Sequence, residues 1–133
     1  GLEGKLSEAL SDKVWLKCGG FLYIEPTQAL TVIDVNSGKY DKKSEREETY
    51  FHVNMEAAEE IATQIFVRNL TGIIVIDFIN MNQKKHKEDL LNALTIELEK
   101  DLNPGRVIGF TRLGLVEITR KKTDKTIYEQ ILV

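Results

Sequence analysis

Asp34 and Asp77 stand at the ends of matching apolar runs. Thr31–Lys39 reads TVIDVNSGK and Gly72–Met81 reads GIIVIDFINM, so each aspartate closes a β-branched stretch and precedes turn-forming residues. In open α/β sheets, ligands gather at the carboxyl ends of the strands. Two carboxylates brought there on neighbouring parallel strands repel each other unless a cation lies between them. An all-oxygen pair suits Mg²⁺, with Mn²⁺ the close substitute and water completing the octahedron. The competing assignment is that each aspartate caps the turn behind it. Asn36, two residues beyond Asp34, shares its face of the strand. It is placed either to bond a phosphate oxygen or metal-bound water, or to start the Ser37-Gly38 turn.

Cations that suit a phosphate are Lys39, Arg106 and Arg112, with Arg68, Arg120, Lys121 and Lys122 adding local basic character. For any one of them a solvated face is the ordinary use. His52 and His86 lack a cysteine or second histidine at ligand spacing and read as surface residues. Trp15 and Phe21 suit core packing, with base stacking as the alternative. The lone Cys18 excludes an internal disulfide and a Cys-only zinc site. Asn80 reads as turn chemistry.

The elements that must position these residues follow from periodicity. Leu2, Leu6, Ala9 and Leu10 predict a short helix, and Val14–Lys17 a short strand. Phe21–Glu25 and Ala29–Asn36 predict an antiparallel hairpin around Pro26-Thr27-Gln28. Ala29–Asn36 is apolar on both faces up to Asp34, which predicts a central strand covered on two sides. Residues 37–49 carry mixed charges and little to bury, and read as a flexible loop. A helix is expected from about Tyr50 or Asn54, capped by Asn54 and stopped near Gly72. Ile73–Phe78 reads as a second buried strand. Gln83–Lys100 reads as a helix with the stripe Leu90, Leu91, Leu94 and Leu98. Arg106–Phe110 and Leu115–Thr119 read as strands, and Lys125–Leu132 as a last strand or short helix. The helix between the two acidic strands is the sort of crossover that makes them parallel. The fold class is α/β (α+β): a mixed sheet of about five to six strands packed by two main helices.

With 133 residues, 42% of them hydrophobic, the chain is long enough for one domain with a real core. The net charge of −3 argues against a global basic surface, so nucleic-acid contacts must be local. Neither a membrane-length apolar run nor a signal-peptide pattern is present in the sequence, which makes the cytoplasm the default compartment. The abrupt start at Gly1 and end at Val133 read as a piece excised from a longer protein.

The run Gly19–Lys39, GGFLYIEPTQALTVIDVNSGK, resembles the catalytic core of the ribonuclease E/ribonuclease G family. Asn54–Ala62, Arg68–Ile79 and Leu113–Lys121 resemble that family's following helix, second acidic strand and later strand, in order. The resemblance implies that residues 1–133 form a single DNase-I-like catalytic subdomain. It implies Asp34 and Asp77 as magnesium ligands, with Asn36 assisting at the scissile phosphate and Arg106 reaching a pocket that senses a 5′-monophosphate. It implies a metal-dependent endoribonuclease that cuts single-stranded RNA to a 3′-hydroxyl and a 5′-phosphate, in RNA processing and decay. The implied partners are single-stranded RNA and the rest of its own chain: an OB-fold domain, an RNase-H-like domain and a 5′-sensor domain. Asn80 stands where the family commonly has aspartate. The alternative is a non-catalytic structural module whose sheet edge serves homo-oligomer contacts.

Overall fold

The structure, a computed structural model, describes residues 12–38 and 46–123. The helix expected over Leu2–Leu10, most of the expected 37–49 loop including Lys39, and the element expected at Lys125–Leu132 lie outside the described residues. Six strands form one mixed sheet: β1 Lys13–Trp15, β2 Phe21–Pro26, β3 Leu30–Asn36, β4 Gly72–Asp77, β5 Arg106–Phe110 and β6 Val116–Arg120. Two helices, α1 Arg46–Arg68 and α2 Lys84–Leu98, complete the described elements. The spatial order is β1-β2-β3-β4-β6-β5. Only β3 and β4 run parallel; the other neighbours are antiparallel.

Chain connectivity explains this pattern. A short link joins β2 to β3, and Thr27 closes it by exchanging hydrogen bonds with Leu30 through its side chain and backbone. Such a tight link permits only antiparallel pairing. Between β3 and β4 the chain instead crosses over through α1, and the two strands come out parallel. β5 and β6 form a second hairpin, with a register shift between Val107 and Gly109.

The strands alternate between a buried and an open face. Ile33 and Val35 of β3, Ile74 and Ile76 of β4, and Val116 and Ile118 of β6 point into the core. There they meet Ala57, Ala58, Ile61 and Ile65 of α1 and Leu90, Leu94 and Leu98 of α2. The opposite face is not covered by any described element: Asp34, Asp77, Tyr23 and Ile73 are exposed there, and Val32 and Val75 are half-buried. The expectation of a strand covered on both sides is thus corrected. β3 is central, but its second apolar row stops at half-burial where the carboxylates begin.

Helix α1 starts at Arg46, ahead of the expected Tyr50. Glu47 and Glu48 in its first turn favour the positive end of the helix dipole. Asn54 is not a cap but a fully buried interior residue. The helix stops at Asn69, not Gly72. Asn69 takes φ 51°, and the Asn69 and Leu70 N–H groups bond back to Phe66 and Ile65, the pattern of a Schellman C-cap.

Arg120 adds no basic character to the surface, because it lies in the core, 2% exposed. Its guanidinium bonds Asp101 at 3.0 Å, and also the Asn69 side chain and the Leu70 and Asn103 carbonyls. It ties the end of α1 to the α2–β5 link. Arg120→Met strips the largely enclosed Asp101 of its ion pair, leaving it the Asn103 N–H alone, and is expected to lower unfolding free energy by about 3–5 kcal/mol in urea titration. A loss below about 1 kcal/mol would show that the network carries no such role.

Candidate functional site

The parallel register pairs Asp34 directly with Asp77. Both project from the open face, since Ile33, Val35, Ile76 and Phe78 on either side of them are buried. Neighbouring strands lie about 4.8 Å apart, so the two carboxylates share one small volume. The consequence is electrostatic. Desolvation and then the Asp77 charge push the Asp34 carboxyl above its usual value, and Glu25 adds to the rise. The Asn36 amide and the Val35 N–H partly offset it.

Asn36 extends the same face one step further along β3. Its Nδ2 is buried and has no hydrogen-bond partner of proper geometry among the described residues. A buried amide donor ordinarily finds an acceptor; this one leans on the Asp34 carboxylate, whose charged form it favours, without completing a well-formed bond. The β1–β2 turn presses against it. A Cβ on Gly20 would lie 2.6 Å from the Asn36 carbonyl oxygen, and one on Gly38 (φ 72°) would lie 2.5 Å from the Gly19 carbonyl. Only glycine lets the two loops approach this closely.

On the β4 side, α1 holds the segment that leaves Asp77. Asn54 donates to the Ile79 carbonyl at 2.9 Å and accepts from the Ile79 N–H at 3.0 Å. One amide thus replaces a missing strand neighbour. Glu47 accepts from the Asn82 N–H at 2.7 Å and the Gln83 N–H at 3.4 Å, and lies 2.7 Å from His86 Nδ1. The Asn82 amide first, then the His86 ring, hold the Glu47 carboxyl below its usual value. His86 stacks on Phe51 with ring centroids 4.1 Å apart. The surface assignment of His86 is therefore corrected: it is buried between the two helices.

No motif marks these supporting residues, yet the sequence carries a signal for them. Asn54 lies on the α1 stripe with Ala57, Ala58, Ile61 and Ile65, and His86 on the α2 stripe with Leu90, Leu94 and Leu98. A polar residue on an apolar stripe is a buried polar group that needs a partner.

The candidate cations separate. Arg112 is exposed in the β5–β6 turn, at the end of the sheet where Asp77 lies, since Ile76, Val116 and Phe110 form one row. Arg106 pairs with Thr119, which pairs with Ile73, so it lies two strands away and at the opposite end. Lys39 is outside the described residues. A cavity of ≈ 50 Å³ between Phe78–Met81, Lys87 and Phe110 opens beside the Asp77 end, and Asn80 lines it.

The donor set fits a hard divalent cation. Among the described residues no cluster of three or more His, Cys, Asp or Glu converges. Two carboxylates with open positions for water and phosphate are the usual protein share of a Mg²⁺ site. The mutual repulsion of Asp34 and Asp77 fits a cation held between them.

The Ribonuclease E/G family model matches residues 1–123. Ribonuclease G of Haemophilus influenzae is 46% identical over 127 residues, covering 96% of this chain and 26% of that protein. Ribonuclease G of Escherichia coli K12 is 44% identical over 126 residues, with 95% and 26% covered. Ribonuclease E of a Nostoc species is 43% identical over 128 residues, with 96% and 19% covered. The chain therefore spans about a quarter of the length of the ribonuclease G sequences and about a fifth of that ribonuclease E.

The raised Asp34 pKa has a definite sign. The fold holds this proton more tightly than the unfolded chain, so ionisation costs stability as pH rises through the carboxylate range. Without divalent cations, Asp34→Asn is expected to melt above the parent chain at pH 7, with the gap closing toward about pH 4. A gap that is absent, or unchanged with pH, would remove the electrostatic account of the pair.

Proposed function

The chain belongs to the ribonuclease E/G family, and we propose that it is the catalytic portion of a Mg²⁺-dependent endoribonuclease acting on single-stranded RNA. The observation that carries this reading is the Asp34–Asp77 register, with Asn36 following Asp34 on the same open face. Asp34 and Asp77 would hold the metal. Bound there, Mg²⁺ supplies an activated water and charge neutralisation at the phosphate. Asn36 donates its Nδ2 hydrogens to a non-bridging phosphate oxygen, which fits a buried donor that completes no well-formed bond within the fold. The water oxygen joins phosphorus, the bond to the 3′-oxygen breaks, and that oxygen leaves with a proton. The products are a 5′-phosphate and a 3′-hydroxyl.

Arg112 lies at the catalytic end of the sheet and suits the backbone phosphates next to the cut. Lys39, three residues past Asn36 in sequence, suits the same task. Arg106, at the other end, suits a more distant phosphate. Strong RNA capture would draw on the rest of the longer chain, with its OB-fold, RNase-H-like and 5′-sensor domains, and on a homo-oligomer. That division of labour agrees with a net charge of −3 here. The role would be RNA processing and decay in the cytoplasm. Among the described residues no helix is long and apolar enough to cross a membrane.

Titration with Mn²⁺ and cleavage of a labelled single-stranded RNA test the site. Asp34→Asn and Asp77→Asn are each expected to weaken Mn²⁺ binding and to slow cleavage by about 100-fold or more. Unchanged Mn²⁺ binding in both variants would sink the metal assignment. Asn36→Ala is expected to lower kcat by about 10²–10³-fold while Mn²⁺ affinity stays near that of the parent.

A further inference from the structure

The open face carries a second feature beside the carboxylates. Trp15 of β1 pairs with Phe21 of β2, and Phe21 pairs with Asn36 of β3. One row on, Lys13 pairs with Tyr23, Tyr23 with Asp34, and Asp34 with Asp77. Three aromatic rings and a lysine thus continue the two rows of the site across the sheet. Their strands are about 5 and 10 Å from β3.

These rings are not part of the core, which lies on the other face. Trp15 is 57% exposed and Tyr23 39%. The expectation that Trp15 packs inside is corrected for that reason. The rings hold each other edge to face, Trp15 to Phe21 at 5.2 Å and Phe21 to Tyr23 at 5.4 Å. Lys13 Nζ lies 4.1 Å from the Trp15 centroid and 4.2 Å from that of Phe21. Glu25, Asp34, Asp77 and Glu117 lie on the same face, with Arg106 of β5 at its far end.

We infer that Trp15, Phe21 and Tyr23, with Lys13 among them, form a stacking platform for the bases of single-stranded RNA next to the phosphate held at Asp34 and Asp77. The inference rests on the proposed function and adds the subsite that holds the neighbouring nucleotides. Exposed aromatic rings take any base, because every base has a π face. The Lys13 ammonium, held over the rings, adds positive charge to a face whose carboxylates would otherwise repel a phosphate backbone. A protein surface would need only the apolar rings. In-register continuity with a phosphate-handling row, and a cation within the aromatic group, favour a nucleic acid.

Fluorescence anisotropy on the full-length chain tests this, using a fluorescein-labelled single-stranded RNA of about ten nucleotides. The Asp77→Asn background prevents cleavage on the proposed reading; if it still cleaves at the parent rate, the catalytic assignment fails independently of the platform. Within that background Trp15→Ala is expected to weaken RNA binding about 10-fold, and Trp15→Phe to stay within about threefold. An oligonucleotide with abasic sites flanking the central phosphate should bind the parent about 10-fold more weakly, with no further loss on Trp15→Ala. Parent-like RNA affinity in both Trp15→Ala and Phe21→Ala, with unchanged melting temperatures, overturns the platform. So does an equal loss from Trp15→Ala on intact and abasic RNA. A change in molecular mass with RNA affinity untouched also overturns it, and assigns the face to a protein contact instead.

Discussion

Two like charges can be held side by side only if something else fixes the backbone beneath them. Here that constraint is the parallel pairing of β3 with β4, which sets Asp34 opposite Asp77. The pairing is bought with a 23-residue crossover helix whose apolar stripe fills the core under both strands. Burial of Ile33, Val35, Ile74 and Ile76 on one face locks the register, because a slip by one residue would turn every core side chain outward. The carboxylates ride on the other face of those same residues. Their repulsion is local, whereas the burial that opposes it is spread over two strands and two helices.

The support is asymmetric. On the β3 side, glycines allow the Gly19–Gly20 turn to press against Asn36 and Gly38. On the β4 side, a single buried amide and a glutamate fasten the backbone after Asp77 to the start of α1. The two sides meet in one helix, since Glu56 of α1 also accepts from the Cys18 N–H of the glycine turn. α1 is thus a common splint for both halves of the site, although it contributes no side chain to the open face.

Much of this was legible in the chain alone. Two β-branched runs ending in aspartate, separated by a helix-length segment, were enough to anticipate a central parallel pair. The α/β class and a count of about five to six strands, against the six found, followed from the same periodicities. Helix ends were read less well, because a segment rich in Lys, Glu and Arg looks unstructured until a buried partner such as His86 is known. Asn54 was misplaced as a cap because cap chemistry is local, while its true partner, Ile79, is 25 residues away. The exposed face misled in the opposite direction: Val32, Val75 and Trp15 are apolar, and periodicity cannot say whether an apolar row meets a helix or solvent. Arg120 shows the same limit for charge, since nothing local announces that an arginine will lie in the core.

The bulged and abbreviated margins of the sheet have a consequence of their own. Growth of a sheet by adding a foreign strand requires an unbroken ladder of unpaired backbone groups at its rim. β1 offers three residues, and the β5 ladder is interrupted between Val107 and Gly109. A bulge twists the rim and spoils its pairing. Among the described residues, the outer strands are thereby poor templates for fibrillar stacking. Across the described sheet, side chains rather than edge main-chain groups are the ready means of gripping a ligand.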